Sequence, residues 1–180
     1  VAVHMDGTRF ANALAATNAT PAELSWRAGV DALCLGFTKN GALAAEAVIL
    51  FDPARGRELE LRRKRAGHLF SKMRFMTAQV EAMMADGLWL RLAGHANAMA
   101  ARLAAGVAAT PGAAALHPVE ANLMFVTLPK AAHDAAVAAG ARYYDMAHGE
   151  DGTVTARLVC SFATTEDDVD RLIAAFRSAG

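Results

Sequence analysis

The fold is decided by one stretch of the chain, Val30-Asp31-Ala32-Leu33-Cys34-Leu35-Gly36-Phe37-Thr38-Lys39-Asn40-Gly41. Its first eight residues are mostly apolar and predict a buried strand, and its last four have the composition of a turn. Residues 1–5 predict an earlier strand that ends at Asp6, and residues 47–51 predict a third one. With a helix predicted over residues 8–16, this order is typical of a mostly parallel sheet with crossover helices.

Helical patterns dominate the middle of the chain. A short helix is predicted from Thr20 to Gly29, because Thr20-Pro21-Ala22-Glu23 combines a cap, a first-turn proline and a glutamate that can reach back to the cap. Residues 58–107 predict a long helical stretch that is broken near Gly67 and near Asp86-Gly87.

A linker rich in proline and glycine follows, and the last third of the chain predicts a small α+β domain. Its final helix starts at Thr165, with acidic residues next to the positive end of the helix dipole. Its other predicted elements are a strand over residues 123–128, a helix over 131–139, and strands over 142–145 and 153–161.

Composition bounds the class of protein. The 180 residues are 54% hydrophobic and 20% charged, which is typical of a soluble globular protein. Lys plus Arg and Asp plus Glu each number 18, so the formal net charge is zero and argues against attraction to nucleic acid or anionic lipid. No apolar stretch approaches the roughly 20 residues of a membrane-spanning helix. We therefore expect neither nucleic acid nor a membrane as a partner.

Three groups of residues have plain structural interpretations. The basic cluster Arg62-Arg63-Lys64-Arg65 lacks interleaved aromatics, which favours a solvated helix start or a subunit contact over nucleic-acid binding. For Cys34 and Cys160 a disulfide stays open, but two buried free thiols are favoured. The six histidines show no His-Glu-x-x-His pattern and the chain has no Cys-x-x-Cys, so we expect no metal site.

Asp6 and Lys39 each come just after a predicted strand. In open α/β sheets, ligands bind beyond the carboxyl ends of the strands, so the two side chains could face one small molecule. The alternative is that Lys39 is solvated and that Asp6 caps the following helix. Position alone favours this alternative, since most charged residues are exposed.

Several motifs resemble those of threonine aldolases. His4-Met5-Asp6-Gly7-Thr8-Arg9-Phe10 resembles the family's His-x-Asp-Gly-Ala-Arg signature, and we expect little consequence from Thr8 in place of alanine. Residues 35–42 look like the segment that carries the family's cofactor lysine. Residues 62–75 are similar to the bacterial low-specificity branch, and residues 157–169 match the C-terminal arginine strand and final helix. The resemblance runs nearly end to end.

The resemblance implies an enzyme dependent on pyridoxal 5'-phosphate (PLP). By the match, Lys39 holds the cofactor covalently, and Asp6 faces the pyridine nitrogen and favours its protonated form. Arg157 would clamp the substrate carboxylate with its guanidinium fork, and Arg9 would lie beside the cofactor and assist. The alternatives are an exposed strand arginine for Arg157 and an ordinary helix-surface charge for Arg9.

The implied fold is the aspartate-aminotransferase type, fold type I. Residues 1–57 would be the C-terminal part of the large PLP-binding domain, residues 58–110 long connecting helices, and residues 111–180 the small α+β domain. In the family, the upstream half of the large domain grips the cofactor phosphate, and we expect that half to precede Val1. The resemblance also implies a cytoplasmic homodimer or homotetramer.

The implied activity is retro-aldol cleavage of L-threonine, L-allo-threonine and related β-hydroxy-α-amino acids to glycine and an aldehyde. The catalytic base cannot be named from these residues. Two alternatives stay open: another fold-type-I reaction, such as β-elimination or transamination, and a non-catalytic fragment that acts only through association.

Overall fold

The structure is a computed structural model that describes residues 1–178; the final two residues of the predicted small domain lie outside this range. The chain divides into two compact units, Val1–Leu92 and Ala93–Gly180. The division falls inside one helix, Leu88–Ala108, which belongs to the long helical stretch predicted from the sequence. The division into segments 1–57, 58–110 and 111–180 stays a prediction.

The sheet of the first unit has the order β1-β2-β3, formed by His4–Gly7, Ala32–Gly36 and Glu46–Leu50. Strands β1 and β2 are parallel, with helix α1 (Phe10–Thr17) on the connection between them. Strands β2 and β3 are antiparallel, so the expectation of a mostly parallel sheet is wrong for this pair. The physical reason is the connection over residues 37–45, which is shorter than the dozen or so residues that a parallel crossover needs.

The segment that starts at Thr20 forms the predicted cap but not the predicted helix. The backbone N–H and hydroxyl of Thr20 donate to the Glu23 carboxylate at 2.8 and 2.7 Å. The Ser25 hydroxyl, however, donates to the carbonyl of Pro21, which would accept the Ser25 N–H in an α-helix. The Ser25 N–H turns to the Ala22 carbonyl instead, and the segment continues as turns and a short 3₁₀ helix.

Two glycines allow β1 and β2 to approach each other closely at their carboxyl ends. A Cβ on Gly36 would lie 2.7 Å from the Cα of Thr8, and one on Gly7 would lie 2.7 Å from the carbonyl oxygen of Cys34. Both contacts are with backbone, which cannot move aside cheaply. The segment that follows β1 therefore lies directly against the end of β2.

The predicted long helical stretch is three helices, α2 (Gly56–Arg65), α3 (Arg74–Met84) and α4 (Leu88–Ala108). The interruptions coincide with the predicted ones. Gly67 has a φ of 77°, and Asp86 and Gly87 have φ values of 50° and 68°, a conformation that ends a right-handed helix. The basic cluster lies at the C-terminal end of α2 and not at a helix start.

The second unit contains an antiparallel sheet of order β4-β5-β7-β6. Its elements are β4 (Ala114–Ala115), β5 (Leu123–Pro129), α5 (Lys130–Ala138), β6 (Tyr144–His148), β7 (Thr153–Val159) and α6 (Glu166–Arg177). Alternate residues of β5 and β7, such as Val126 and Ala156, are buried and form one core with residues of α4, α5 and α6. The remaining residues of both strands lie on the opposite side of the sheet, which we call the open face.

Strand β6 begins two residues later than the sequence predicted and contains a β-bulge between Asp145 and Ala147. Asp145 and Ala147 pair with consecutive residues of β7, so Met146 is an extra residue on the edge strand. In a regular strand Asp145 and His148 would face opposite sides. The extra residue puts them on the same side, where His148 Nε2 lies 3.2 Å from Asp145 Oδ2.

Both cysteines are free thiols. Burial raises the pKa of Cys160 to about 11, which keeps that thiol protonated. Across residues 1–178, helices fall short of the combined length and apolarity that crossing a bilayer requires.

Candidate active site

The parallel pairing of β1 and β2 brings Asp6 and Lys39 to one edge of the sheet. Asp6 is in register with Cys34, two residues before the end of β2, and Lys39 lies in the 3₁₀ turn Thr38–Asn40 that follows that strand. The positive charge of Lys39 contributes to lowering the pKa of Asp6. The carboxylate and the amine, which the sequence placed after two neighbouring strands, thus lie in one region of the first unit.

Asp6 is an exposed carboxylate held by the residue two positions later. Its Oδ1 accepts the backbone N–H of Thr8 at 3.1 Å and also the Thr8 hydroxyl. These two bonds, the hydroxyl first, lower the pKa of Asp6, and the charges of Lys39 and His4 add to the effect. Since the N-cap of α1 is Arg9 and not Asp6, the alternative in which Asp6 caps the helix is wrong.

Thr8 is a residue whose importance was underestimated from the sequence. It was expected to have little consequence in place of alanine, yet its hydroxyl is the largest cause of the lowered pKa of Asp6. A hydroxyl two residues after an aspartate is a local turn signal that could have indicated this contact.

The turn that carries Lys39 is anchored on both sides of the lysine. The Thr38 hydroxyl donates to the Ala45 carbonyl at 3.2 Å, and the Asn40 side-chain amide donates to the Trp89 carbonyl at 2.8 Å. Asn40 is buried while Lys39 is exposed, and within residues 1–178 the Lys39 amine makes no hydrogen bond or salt bridge. Asn40 was missed as a positioning residue, because its partner lies 49 positions away in the sequence.

The two arginines lie in different units. Arg9 is half-buried in the first unit, at the N-cap of α1. Arg157 is half-buried on β7 of the second unit, in register with Phe125 of β5 and Tyr144 of β6. Its guanidinium carbon lies 5.9 Å from the centre of the Tyr144 ring. Arg157 is therefore on the open face, away from the core.

The described residues contain no group of three or more His, Cys, Asp or Glu side chains arranged to hold a metal ion. What the first unit presents is an ionised carboxylate and a lysine amine at the carboxyl ends of two parallel strands, where open α/β sheets place their ligands.

Comparison with solved structures defines the class of protein. The Leishmania major threonine aldolase structure matches with a TM-score of 0.90 at 29% identity, over 99% of this chain and 52% of that chain. The Sphingomonas wittichii serine palmitoyltransferase matches with a TM-score of 0.60 at 17% identity, over 85% of this chain and 40% of that one, which supports the fold alone. The fold is fold type I of the PLP-dependent enzymes, as expected from the resemblance.

Residues 1–131 match the family described as Beta-eliminating lyase, and the chain belongs to that family. The curated low specificity L-threonine aldolase of Pseudomonas sp. (strain NCIMB 10558) is 43% identical over 176 residues. That alignment covers 98% of this chain and 50% of the relative, so the chain spans about half the length of the curated protein.

Proposed function

We propose that the protein containing this chain is a PLP-dependent carbon–carbon lyase. It cleaves L-threonine, L-allo-threonine and related β-hydroxy-α-amino acids to glycine and an aldehyde. The observation that carries this proposal is that Asp6 and Lys39 lie at one edge of the sheet, in a chain 43% identical to a low specificity L-threonine aldolase.

The residues at this edge fit PLP. Lys39 would be the covalent attachment point, and the anchored turn presents an amine that no acidic side chain of residues 1–178 holds in a salt bridge. Asp6 is the carboxylate that would face the pyridine nitrogen, and its negative charge would favour the protonated form of that nitrogen. When bound, PLP supplies the electron sink for bond cleavage.

Arg157 and Arg9 are proposed to bind the carboxylate of the substrate. A guanidinium fork binds a carboxylate through two parallel hydrogen bonds, and Arg157 has this role, with Arg9 beside the cofactor assisting. Fixing the carboxylate also fixes the orientation of the Cα–Cβ bond that is to break. The role of the two arginines is thus to position the substrate.

A second candidate reaction is β-elimination, which is favoured by the family to which residues 1–131 belong. The products distinguish the two reactions. Retro-aldol cleavage of threonine yields glycine and acetaldehyde, whereas elimination yields a keto acid and ammonia. Incubation of the purified full-length protein with threonine and PLP, followed by quantification of all four products, tests both. A protein that forms none of them and binds no PLP would be a non-catalytic association module.

The attachment residue is tested separately from the reaction. Borohydride reduction of the PLP-loaded full-length protein, followed by proteolysis and peptide mapping, should place the label on Lys39. Lys39→Ala should abolish labelling, while Lys130→Ala should leave it unchanged, because Lys130 is paired with Asp134 on a helix of the second unit. A label on any other lysine would contradict the assignment.

The assembly is proposed to be a cytoplasmic homodimer or homotetramer. Support comes from apolar side chains exposed around α2 and α3, which a subunit contact would cover.

A further inference from the structure

Three side chains form a row across the open face of the second sheet. Phe125 of β5, Arg157 of β7 and Tyr144 of β6 are directly paired in register. Directly paired residues on one face have their Cβ atoms about 4.5–5.5 Å apart, so an aromatic residue lies on each side of Arg157. The guanidinium carbon of Arg157 lies 5.9 Å from the Tyr144 ring centre. Arg157 is thus flanked by an aromatic residue on each neighbouring strand.

Arg157 differs in its partner from Arg102 and Arg171, two other arginines of its unit. Arg102 binds Asp170 at 2.7 Å, and Arg171 binds Asp168 at 2.6 Å. Within residues 1–178, the Arg157 guanidinium makes no salt bridge and no hydrogen bond. Its N–H donors are therefore not occupied by a carboxylate of this chain.

We infer that Tyr144 is a positioning residue for Arg157, which acts through its ring to hold the guanidinium ready for a substrate carboxylate. This inference rests on the proposed role of Arg157 as the carboxylate clamp. A ring face attracts a cation through its quadrupole and leaves the N–H edge of the guanidinium available. An acidic side chain in the same place would occupy that edge and compete with the substrate.

The phenolic hydroxyl of Tyr144 has no part in this arrangement, because the attraction comes from the π face of the ring. Phenylalanine should therefore replace Tyr144 without loss, and a branched aliphatic residue should not. Isoleucine is the informative aliphatic choice, since it is as compatible with a strand as tyrosine but has no ring.

The experiment compares Tyr144→Phe and Tyr144→Ile with a control, Met146→Ala, in the PLP-loaded full-length protein. Met146 is exposed on the same strand but is the extra residue of the bulge, and has no pairing partner on β7. Calorimetric titration with glycine measures carboxylate binding directly, and steady-state kinetics with threonine separate KM from kcat. Tyr144→Ile should weaken glycine affinity and raise KM by about two- to fivefold, the range of a cation–π contact at a partly exposed site. Tyr144→Phe and Met146→Ala should match the unmodified protein, and kcat should change little.

Arg157→Lys separates failure of this inference from failure of the proposed function. If Arg157→Lys leaves glycine affinity unchanged, the clamp itself is wrong. If Arg157→Lys weakens binding but Tyr144→Ile does not, the clamp stands and the role of Tyr144 is overturned. An equal loss in Tyr144→Phe, or a loss confined to kcat, would also overturn it.

A ring-preserving variant covers the case in which Tyr144→Ile does not fold. A tetrafluorinated phenylalanine at position 144 keeps the shape of the ring but weakens its quadrupole, so glycine affinity should fall below that of Tyr144→Phe. Equal affinities of these two aromatic variants would contradict the inference.

Discussion

At the scale of single residues, Thr8 makes the largest contribution to the lowered pKa of Asp6. Removing its hydroxyl with Thr8→Ala takes away the largest cause of the lowered pKa, so the pKa of Asp6 should rise toward its ordinary value. A carboxyl titration followed by NMR measures this directly. Thr153→Ala is the matched control and should leave the pKa of Asp6 unchanged. Thr153 makes the same kind of hydroxyl bond, at 2.6 Å, but to Asp151 in the other unit. A Thr8→Ala protein whose Asp6 titrates as before would show that the hydroxyl contact is unimportant.

The sign of the effect on stability follows from the direction of this pKa. A carboxyl group whose pKa is depressed by folding contributes stability above its unfolded pKa, and loses that contribution as the pH falls through the folded value. Thr8→Ala should therefore lower the free energy of unfolding near neutral pH. The difference in the free energy of unfolding between Thr8→Ala and the unmodified protein should become smaller in acid, because Asp6 is then protonated in both proteins.

Single residues also show what could be predicted of the site. The placement of Asp6 and Lys39 just after two strands was predicted from local apolar patterns, whereas their assignment to a site came from the resemblance to threonine aldolases. Thr8 lies two residues from its partner, and its local signal was available but underestimated. Asn40 was out of reach, because its bond to the Trp89 carbonyl depends on how the chain folds back. The roles of Lys39, Asp6, Arg9 and Arg157 remain proposals.

At the scale of elements, α6 depends on a capping box at its start. The Asp168 N–H donates to the Thr165 hydroxyl at 3.1 Å, and the Thr165 N–H donates back to the Asp168 carboxylate at 3.0 Å. Thr165→Ala removes this cap and should lower the free energy of unfolding by about 1 kcal/mol. Urea denaturation measures the loss, with Ser178→Ala at the other end of the helix as the control. An equal decrease in the free energy of unfolding in both variants would contradict a specific stabilising role for the capping box.

The same capping box predicts a pH dependence. The bonds from Thr165, together with that from Arg171, lower the pKa of Asp168 to about 2 from an ordinary value of 3.8. The stability that Asp168 contributes is complete above the ordinary value and is lost as the pH falls toward 2. The difference in the free energy of unfolding between the unmodified protein and Thr165→Ala should therefore become smaller over this acidic range.

Elements were predicted best where local signals agreed. The three helices from α2 to α4 and the cap of α6 were predicted because periodicity, glycine and capping residues point the same way. The antiparallel direction of β3 and the bulge in β6 were not predicted, because direction and register depend on which strand lies alongside. The segment after Thr20 shows a local competition, in which the Ser25 hydroxyl takes the carbonyl that a helix needs.

At the scale of the whole molecule, several apolar side chains around α2 and α3 are exposed. Leu61, Leu69, Phe70 and Phe75 are between 46% and 58% exposed. Contiguous exposed apolar surface marks interaction sites more often than scattered single residues do. These four side chains are near one another in the sequence, and they are the ones we propose for the contact between subunits.

Sedimentation of the full-length protein at micromolar concentration tests this assembly. A dimer or tetramer is expected, and Phe70→Glu should shift it toward smaller species by burying an unpaired charge in the contact. Val137→Glu, at an exposed apolar position of α5 in the second unit, should not. A monomeric unmodified protein would refute the assembly. An oligomer that is insensitive to Phe70→Glu would place the contact elsewhere.

The bulge at Met146 also bears on solubility. An edge strand presents unpaired backbone N–H and C=O groups with which a strand of another molecule can pair, and such pairing starts aggregation. β6 is exposed along its whole length, but its extra residue bends the strand and breaks the even spacing that a docking strand would have to match. The irregularity that brings His148 to Asp145 therefore also discourages a further strand from pairing at the β6 edge of the sheet.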